Sequence, residues 1–341
     1  MSLYHSVQIG SLQVPGNLFL APVAGYSDRA FRYICKENGA DMGYTEMVSS
    51  EAIYRGSDKS EKLLLKAQND PLFAVQIFGG NETAIFEGAS FIIKKYNPSL
   101  LDINAGCPVP KIIKSGAGSA LTREPDKLYK MVKAAILATK ECGVPELPVT
   151  VKIRSGWDAK SLTWKEAALS AYEAGVSAIT IHPRTRAQGY EGKSDWSILA
   201  ELVELFKDKT HATTGTKIQI FGSGDVFSPE DAKNMLEQTK CDGVMFARGA
   251  MGNPFIFNQT KDLLTKGSYE EVSILHRINT GLKELEILIG DSNEEVACKE
   301  MRKRFCCYTK GFPGSSQIRT QIVQAQTFED YKKIFSSFLV N

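Results

Sequence analysis

Short apolar runs rich in β-branched residues recur along the first three quarters of the chain. They cover Leu18 to Gly25, Met42 to Ser49, Phe73 to Gly79, Leu100 to Cys107, Val149 to Gly156, Ala178 to His182, Lys217 to Asp225 and Asp242 to Gly249. Each is close to continuously apolar instead of alternating, the pattern of strands buried on both faces in a parallel sheet. Helical patterns lie between most of them. Asp28 to Asn38 carries Phe31, Ile34 and Cys35 on one face, with Gly39 as C-cap. Thr83 to Tyr96 stops at Asn97-Pro98, and Pro125 to Cys142 is entered by proline and left at Gly143. Thr163-Trp164-Lys165-Glu166 has capping-box spacing and opens a helix that ends at Gly175. Ser228-Pro229-Glu230-Asp231 opens another, running to about Thr239.

Strands alternating with helices predict an α/β chain folded as a (β/α)8 TIM barrel. The rival, an open doubly wound sheet, usually carries a GxGxxG turn after its first strand; here that turn reads Pro22-Val23-Ala24-Gly25-Tyr26. After about Phe257 the strand-like runs stop. Leu263 to Ile289, Glu294 to Lys310 and Thr327 to Leu339 read as helices, separated by Gly290-Asp291-Ser292-Asn293 and Gly311-Phe312-Pro313-Gly314. The expected organisation is a catalytic barrel over residues 1–257 and a small all-helical domain over 258–341.

Composition narrows the setting. No apolar run approaches the roughly 20 residues that span a bilayer, and the N-terminus lacks a basic region followed by an apolar one. The seven cysteines are odd in number and scattered, with no CxxC pair, which argues for reduced thiols in a cytoplasm and against both a disulfide framework and a zinc site; no metal is expected. Net charge is only +2, so any basic partner surface is local.

Barrel active sites are built at the carboxyl ends of the strands. Those ends carry Ala21-Pro22-Val23, Glu46, Gln76, Asn104 with Cys107, Lys152 with Arg154, His182 with Arg184, Ser223-Gly224-Asp225, and Ala247-Arg248-Gly249. Each has a plain alternative. Cys107 reads equally as a small buried hydrophobe, Gln76 as a satisfied buried amide, His182 as a core histidine, and the glycine turns as turns. Lys152 is harder to dismiss, because a lysine in Val149-Thr150-Val151-Lys152-Ile153 is unexpected in a buried strand. Glycine-rich loops after the last two strands are where barrels hold a phosphate, with Arg248 supplying charge. A flat, phosphate-tailed cofactor fits the set, and FMN is the obvious candidate, with Lys152 beside its anionic reduced ring.

Read together, the motifs resemble the tRNA-dihydrouridine synthases, most closely their bacterial B-type branch. The resemblance runs through Leu20 to Asp28, Gln76-Ile77-Phe78-Gly79, Asp102 to Pro108, Lys152 to Trp157, His182 to Gln188, Gly224-Asp225-Val226 and Ala247-Arg248-Gly249-Ala250. Its most specific part is Asn104 to Pro108 followed by Lys111 and Gly116-Ala117-Gly118-Ser119. It implies NADPH-driven, FMN-dependent reduction of the C5–C6 double bond of particular tRNA uridines. It implies FMN contacts at Ala21, Pro22, Val23, Gln76, Lys152, His182, Ser223, Gly224, Asp225, Ala247 and Arg248, and Cys107 as catalytic acid. Asn104, Arg154, Arg184 and Arg186 would face substrate, and Lys303 and Arg304 the tRNA backbone. The family's Arg-Lys-His-x-x-Trp-Tyr pattern reads here as Arg302-Lys303-Arg304-Phe305-Cys306-Cys307-Tyr308. The loop after Cys107, with Lys111, Lys114 and Arg123 but no acid before Glu124, is expected to be a mobile basic lid. The expected partners are tRNA and NADPH, with no membrane and no obligate protein partner. The alternatives are an FMN barrel dehydrogenase acting on a free pyrimidine, of the dihydroorotate type, and a non-catalytic tRNA-binding protein.

Overall fold

The computed structural model describes residues 2–340. Parallel strands β1 (Leu18–Leu20), β2 (Met42–Tyr44), β3 (Phe73–Phe78), β4 (Leu100–Ala105), β5 (Val149–Asp158), β6 (Ala178–Thr185), β7 (Gln219–Ser223) and β8 (Gly243–Phe246) each pair with the next. β8 returns to β1, so the TIM barrel is closed. A helix over Trp196–Phe206, not foreseen from the sequence, fills the crossover between β6 and β7.

Strand side chains alternate between two cores. Outward residues such as Leu18, Val75, Leu101, Val151 and Ile179 pack on the surrounding helices. Inward residues Phe19, Met42, Tyr44, Ala74, Leu100, Ala178, Phe221 and Met245 fill the lower barrel. An antiparallel hairpin, Val7–Ile9 with Leu12–Val14, joins this inner core and was not anticipated, because its strands are too short to show a pattern. Higher in the barrel the inward positions turn polar. Register pairs Gln76 with Asp102 and Asp102 with Thr150, then Asn104 with Lys152, then Arg154 with His182.

The helical region differs from expectation in two places. The boundary foreseen at 257/258 falls inside the Ile256–Lys266 helix, whose Ile256 and Phe257 belong to the barrel core. The second core starts later, with Ile278, Leu285, Met301, Phe305, Tyr331 and Phe335. The single helix foreseen over Leu263 to Ile289 is two. Gly267, at φ 83°, ends the first in the left-handed region, and the Ser273 hydroxyl accepts from the His276 amide to cap the second, Ile274–Asp291. The capping box foreseen at Thr163 also does not form. The Thr163 amide is tied to the Ser155 carbonyl and its backbone sits at ψ 13°, not extended. The true capping box is Ser228 with Asp231. Among the described residues no helix is long and apolar enough to cross a membrane.

One ion cluster locks the helical domain to the barrel. Arg304, on the Glu294–Tyr308 helix, is 1% exposed and pairs with Asp28 and, at 2.5 Å, with Glu284. The Tyr308 hydroxyl donates to the other Glu284 oxygen at 2.7 Å. Asp28 is itself the N-cap of the Arg29–Glu37 helix, accepting from the Phe31 amide. Arg304 was expected to meet tRNA; its burial between two carboxylates rules that out. Replacing it with alanine leaves Glu284, which is fully buried, without its countercharge. Arg304→Ala is expected to cost about 3–5 kcal/mol in urea unfolding, and Arg304→Ala with Glu284→Gln distinctly less.

Candidate active site

The site forms around the turn after β4. Asn104 directs its Oδ1 at the amides of Gly106 (3.1 Å) and Cys107 (2.9 Å), which fixes the turn that carries the thiol. Its Nδ2 donates to Gln76 Oε1 at 2.8 Å, and Gln76 Nε2 donates to Asp102 Oδ2 at 2.7 Å. Thr150 donates to Asp102 Oδ1 at 2.6 Å. The Cys107 carbonyl accepts from Ser119 at 3.0 Å, and its side chain packs with Ile112, Ala117, Met47 and Phe78. Burial pushes the Cys107 thiol above its ordinary range, while the Val109 amide and the Arg154 and Lys152 charges pull the other way. The thiol therefore keeps its proton at neutral pH.

Cations dominate the neighbouring strands β5 and β6 and the loop after β8. Burial and Arg154 together hold the Lys152 ammonium down to about 8, against the pull of Asp102 and Cys107. The described residues offer Lys152 Nζ no hydrogen bond, so its donors point to the cleft unpaired. His182 is held neutral by burial and by Lys152, Arg154, Arg184 and Arg248. Arg184 Nη1 lies 3.3 Å from His182 Nε2. An arginine can only donate, so the imidazole proton sits on Nδ1.

The loops after β7 and β8 make a close-fitting cradle. Gly224 has φ 103°, and a Cβ there would meet the His182 ring at 2.6 Å. A Cβ at Gly249 would lie 2.2 Å from the Val226 carbonyl. The Arg248 guanidinium lies 4.5 Å from the Tyr190 ring and 5.1 Å from the Phe227 ring, and 3.3 Å from Asp225. Together with the β4 turn and the β1 end these loops enclose a cavity of about 250 Å³.

The structure sorts the expected residues. Ala21, Pro22, Val23, Asn104, Cys107, Lys152, Arg154, His182, Ser223, Gly224, Asp225, Ala247 and Arg248 all line the cavity. Gln76 does not: it is fully buried one layer below, holding Asn104. The Asp225 carboxylate is already engaged by Arg184, the Ser194 amide and Arg248. Arg184, 2% exposed, braces that loop through the Glu191 and Gly192 carbonyls and does not reach substrate as expected. Arg154 is largely consumed in the same way, by the Gly106, Thr185 and Gly189 carbonyls. Arg186 lies over Trp157 at 4.6 Å, with Arg123 also on that ring at 4.5 Å. Lys303 is exposed and sits 5.1 Å from the Tyr26 ring, beside the β1 loop.

The lid is only partly as expected. A short helix, Pro110–Lys114, displays Lys111 and Lys114, but Ala117 to Thr122 are buried, with Ala117 and the Ser119 amide against Cys107. Gly116 and Gly118 are there because φ is 75° and 61°, not to loosen the segment. Sequence reading missed Met47, Tyr190 and Phe227 in the lining; an aromatic beside each glycine-rich loop was the available signal. It also left Asp102 unassigned, although a carboxylate in a buried strand is as unexpected as Lys152.

Comparison with known proteins agrees with this geometry. The chain matches the family described as Dihydrouridine synthase (Dus) over residues 19–339. A probable tRNA-dihydrouridine synthase of Treponema pallidum is 50% identical, over 98% of this chain and 96% of the relative. The tRNA-dihydrouridine synthase B of Pseudomonas aeruginosa is 33% identical, over 94% and 92%. Among solved structures, histamine dehydrogenase from Rhizobium sp. 4-9 aligns with a TM-score of 0.54 at 12% identity, over 84% of this chain and 51% of that one. A 2-naphthoyl-CoA reductase aligns at 0.58, also at 12% identity, over 76% and 52%. These two share the fold. The family match runs from β1 to the last helix with the Cys107 turn inside it, and the chain belongs to the dihydrouridine synthase family, oxidoreductases that act on the CH–CH bond of uridine.

Proposed function

We propose that this protein reduces the C5–C6 double bond of particular uridines in tRNA, with FMN as its bound flavin and NADPH as reductant. The observation that carries the reading is a buried thiol at the edge of a cleft, next to a strand whose Lys152 has no hydrogen-bond partner among the described residues. The residues fit a flavin. Lys152 offers free donors, His182 offers Nδ1–H, and the Gly224 and Gly249 turns pack on the His182 ring and the Val226 carbonyl more closely than a Cβ would allow, which sets the shape of the cradle. Ser223, Gly224, Ala247 and Arg248 would hold the phosphate, and Ala21 to Val23 the ring. Asp225 would contribute only backbone, since its carboxylate is taken. When bound, FMN supplies the hydride that reaches C6.

The chain's own groups then account for the proton. A uracil must leave the base stack to enter the cleft. The exposed rings of Tyr190 and Phe227 and the exposed Val109 border its entrance. Asn104 has one amide hydrogen left for the base, now directed only at Met47 Sδ at 3.5 Å. Cys107 gives its proton to C5 and is left as a thiolate. The burial that keeps the proton in place beforehand is opposed by Arg154 and Lys152, which stabilise that thiolate. Exposed Lys303, Lys111, Lys114 and Arg123, with the half-buried Trp157 and Arg186 beside Arg123, are groups suited to RNA phosphate and bases. A tRNA substrate and free cysteines both suit a cytoplasmic enzyme.

Purified protein is expected to carry FMN and to bleach with NADPH. Cys107→Ala should bleach at the wild-type rate yet form no dihydrouridine in tRNA; full uridine turnover would remove Cys107 from its role. In the resting enzyme, alkylation of Cys107 should reach half its maximal rate above the roughly 8.5 of a free thiol. A midpoint below ~7, read by peptide mass, would mean that no proton is stored there. Lys303→Gln should weaken tRNA binding and lower the salt slope by about one; an unchanged slope counts against that contact.

A further inference from the structure

We infer that Asp102 is a positioning residue for the proton transfer: its carboxylate fixes the direction of a hydrogen-bond chain that ends on the Cys107 backbone. The inference rests on the reading above, in which Cys107 protonates the base. The argument concerns polarity. The Gly106 and Cys107 amides can only donate, so Asn104 must turn Oδ1 toward them. Its Nδ2 is then aimed at Gln76, which must answer with Oε1. That leaves Gln76 Nε2 pointing down at position 102, where only an acceptor will serve. Asp102 provides one oxygen there and gives the other to Thr150.

Either amide alone could rotate by a half turn at little cost. Linked, they cannot, because donors hold one end and an acceptor the other. Water does not relieve a mismatch: Gln76, Asp102 and Asn104 are 0%, 1% and 8% exposed. Remove the acceptor and Gln76 has no reason to keep its orientation; Asn104 then loses its own, and the turn that carries the thiol is no longer pinned. Asp102 touches neither the cleft nor the thiol; besides this chain it bears on the site only through its charge on Lys152, which the asparagine variant also removes.

The test is Asp102→Leu against Asp102→Asn in flavin-loaded enzyme, with the two half-reactions timed separately. Asparagine keeps an oxygen for Gln76, while its amide can donate to the Thr150 hydroxyl. Leucine fills the space without an acceptor. Asp102→Leu should reduce tRNA uridine about a hundredfold more slowly, the scale of a misplaced reacting group, while NADPH bleaches it within twofold of wild type. Asp102→Asn should stay within tenfold of wild type in both. Alkylation of Cys107 should quicken several-fold in the leucine variant and not in the asparagine one. If the two variants fall equally, the role is charge and the proposal is wrong. If leucine leaves uridine reduction intact, the chain does not position the thiol. Should Asp102→Leu fail to fold, Gln76→Met cuts the chain one link nearer and carries the same expectations. A wild-type enzyme that makes no dihydrouridine would instead remove the functional reading itself.

Discussion

A closed barrel has no edges, but it has an inside that must be filled, and here that inside is divided by chemistry. The lower half is apolar and sealed by the N-terminal hairpin. The upper half is polar, and polar groups shut away from water are tolerated only when they find partners. The rows set by strand register supply those partners: Gln76, Asp102 and Thr150 lie side by side, and Asn104 and Lys152 sit one step above. Lys152 alone among them remains unpaired, at the level where the interior opens. The site is thus the point at which the barrel stops satisfying itself.

The same division explains the electrostatics. Four cations, Lys152, Arg154, Arg184 and Arg248, bear on one imidazole and keep it neutral. Two of the arginines are tied down by backbone carbonyls and by Asp225, so their charge is fixed in place and needs no rearrangement as chemistry proceeds. Cys107 sits on the turn beside Arg154, with its side chain in an apolar setting of Ile112, Ala117 and Met47. A proton on sulfur is favoured by that apolar packing, and its loss is tolerated because Arg154 and Lys152 are close by.

Much of this was legible in the chain, and the limits of legibility are physical. The near-continuous apolar strands announced the barrel because a sheet covered on both faces has no polar side to show. The glycine turns announced the cradle because φ above zero and close approach both demand glycine. What did not show was the orientation of long side chains. Arg184 and Arg304 read as basic groups free for RNA. A guanidinium, however, has enough donors to be absorbed by acceptors that no local pattern announces, such as the Gly192 carbonyl or the Glu284 carboxylate.

The seat of the helical domain has a consequence for its modularity. Arg304 reaches Asp28, Lys303 lies over Tyr26, and the Tyr26 hydroxyl is 3.8 Å from Cys307 Sγ. The residues just before Tyr26 form a wall of the cleft, and the Gly25 amide is held by Glu46 at 2.6 Å. One short loop therefore belongs to both domains. An exchange of helical domains between relatives would not be a swap of independent parts: unless the donor brings an arginine at position 304, the recipient's Asp28 loses its partner, and the disturbance lands on the cleft itself.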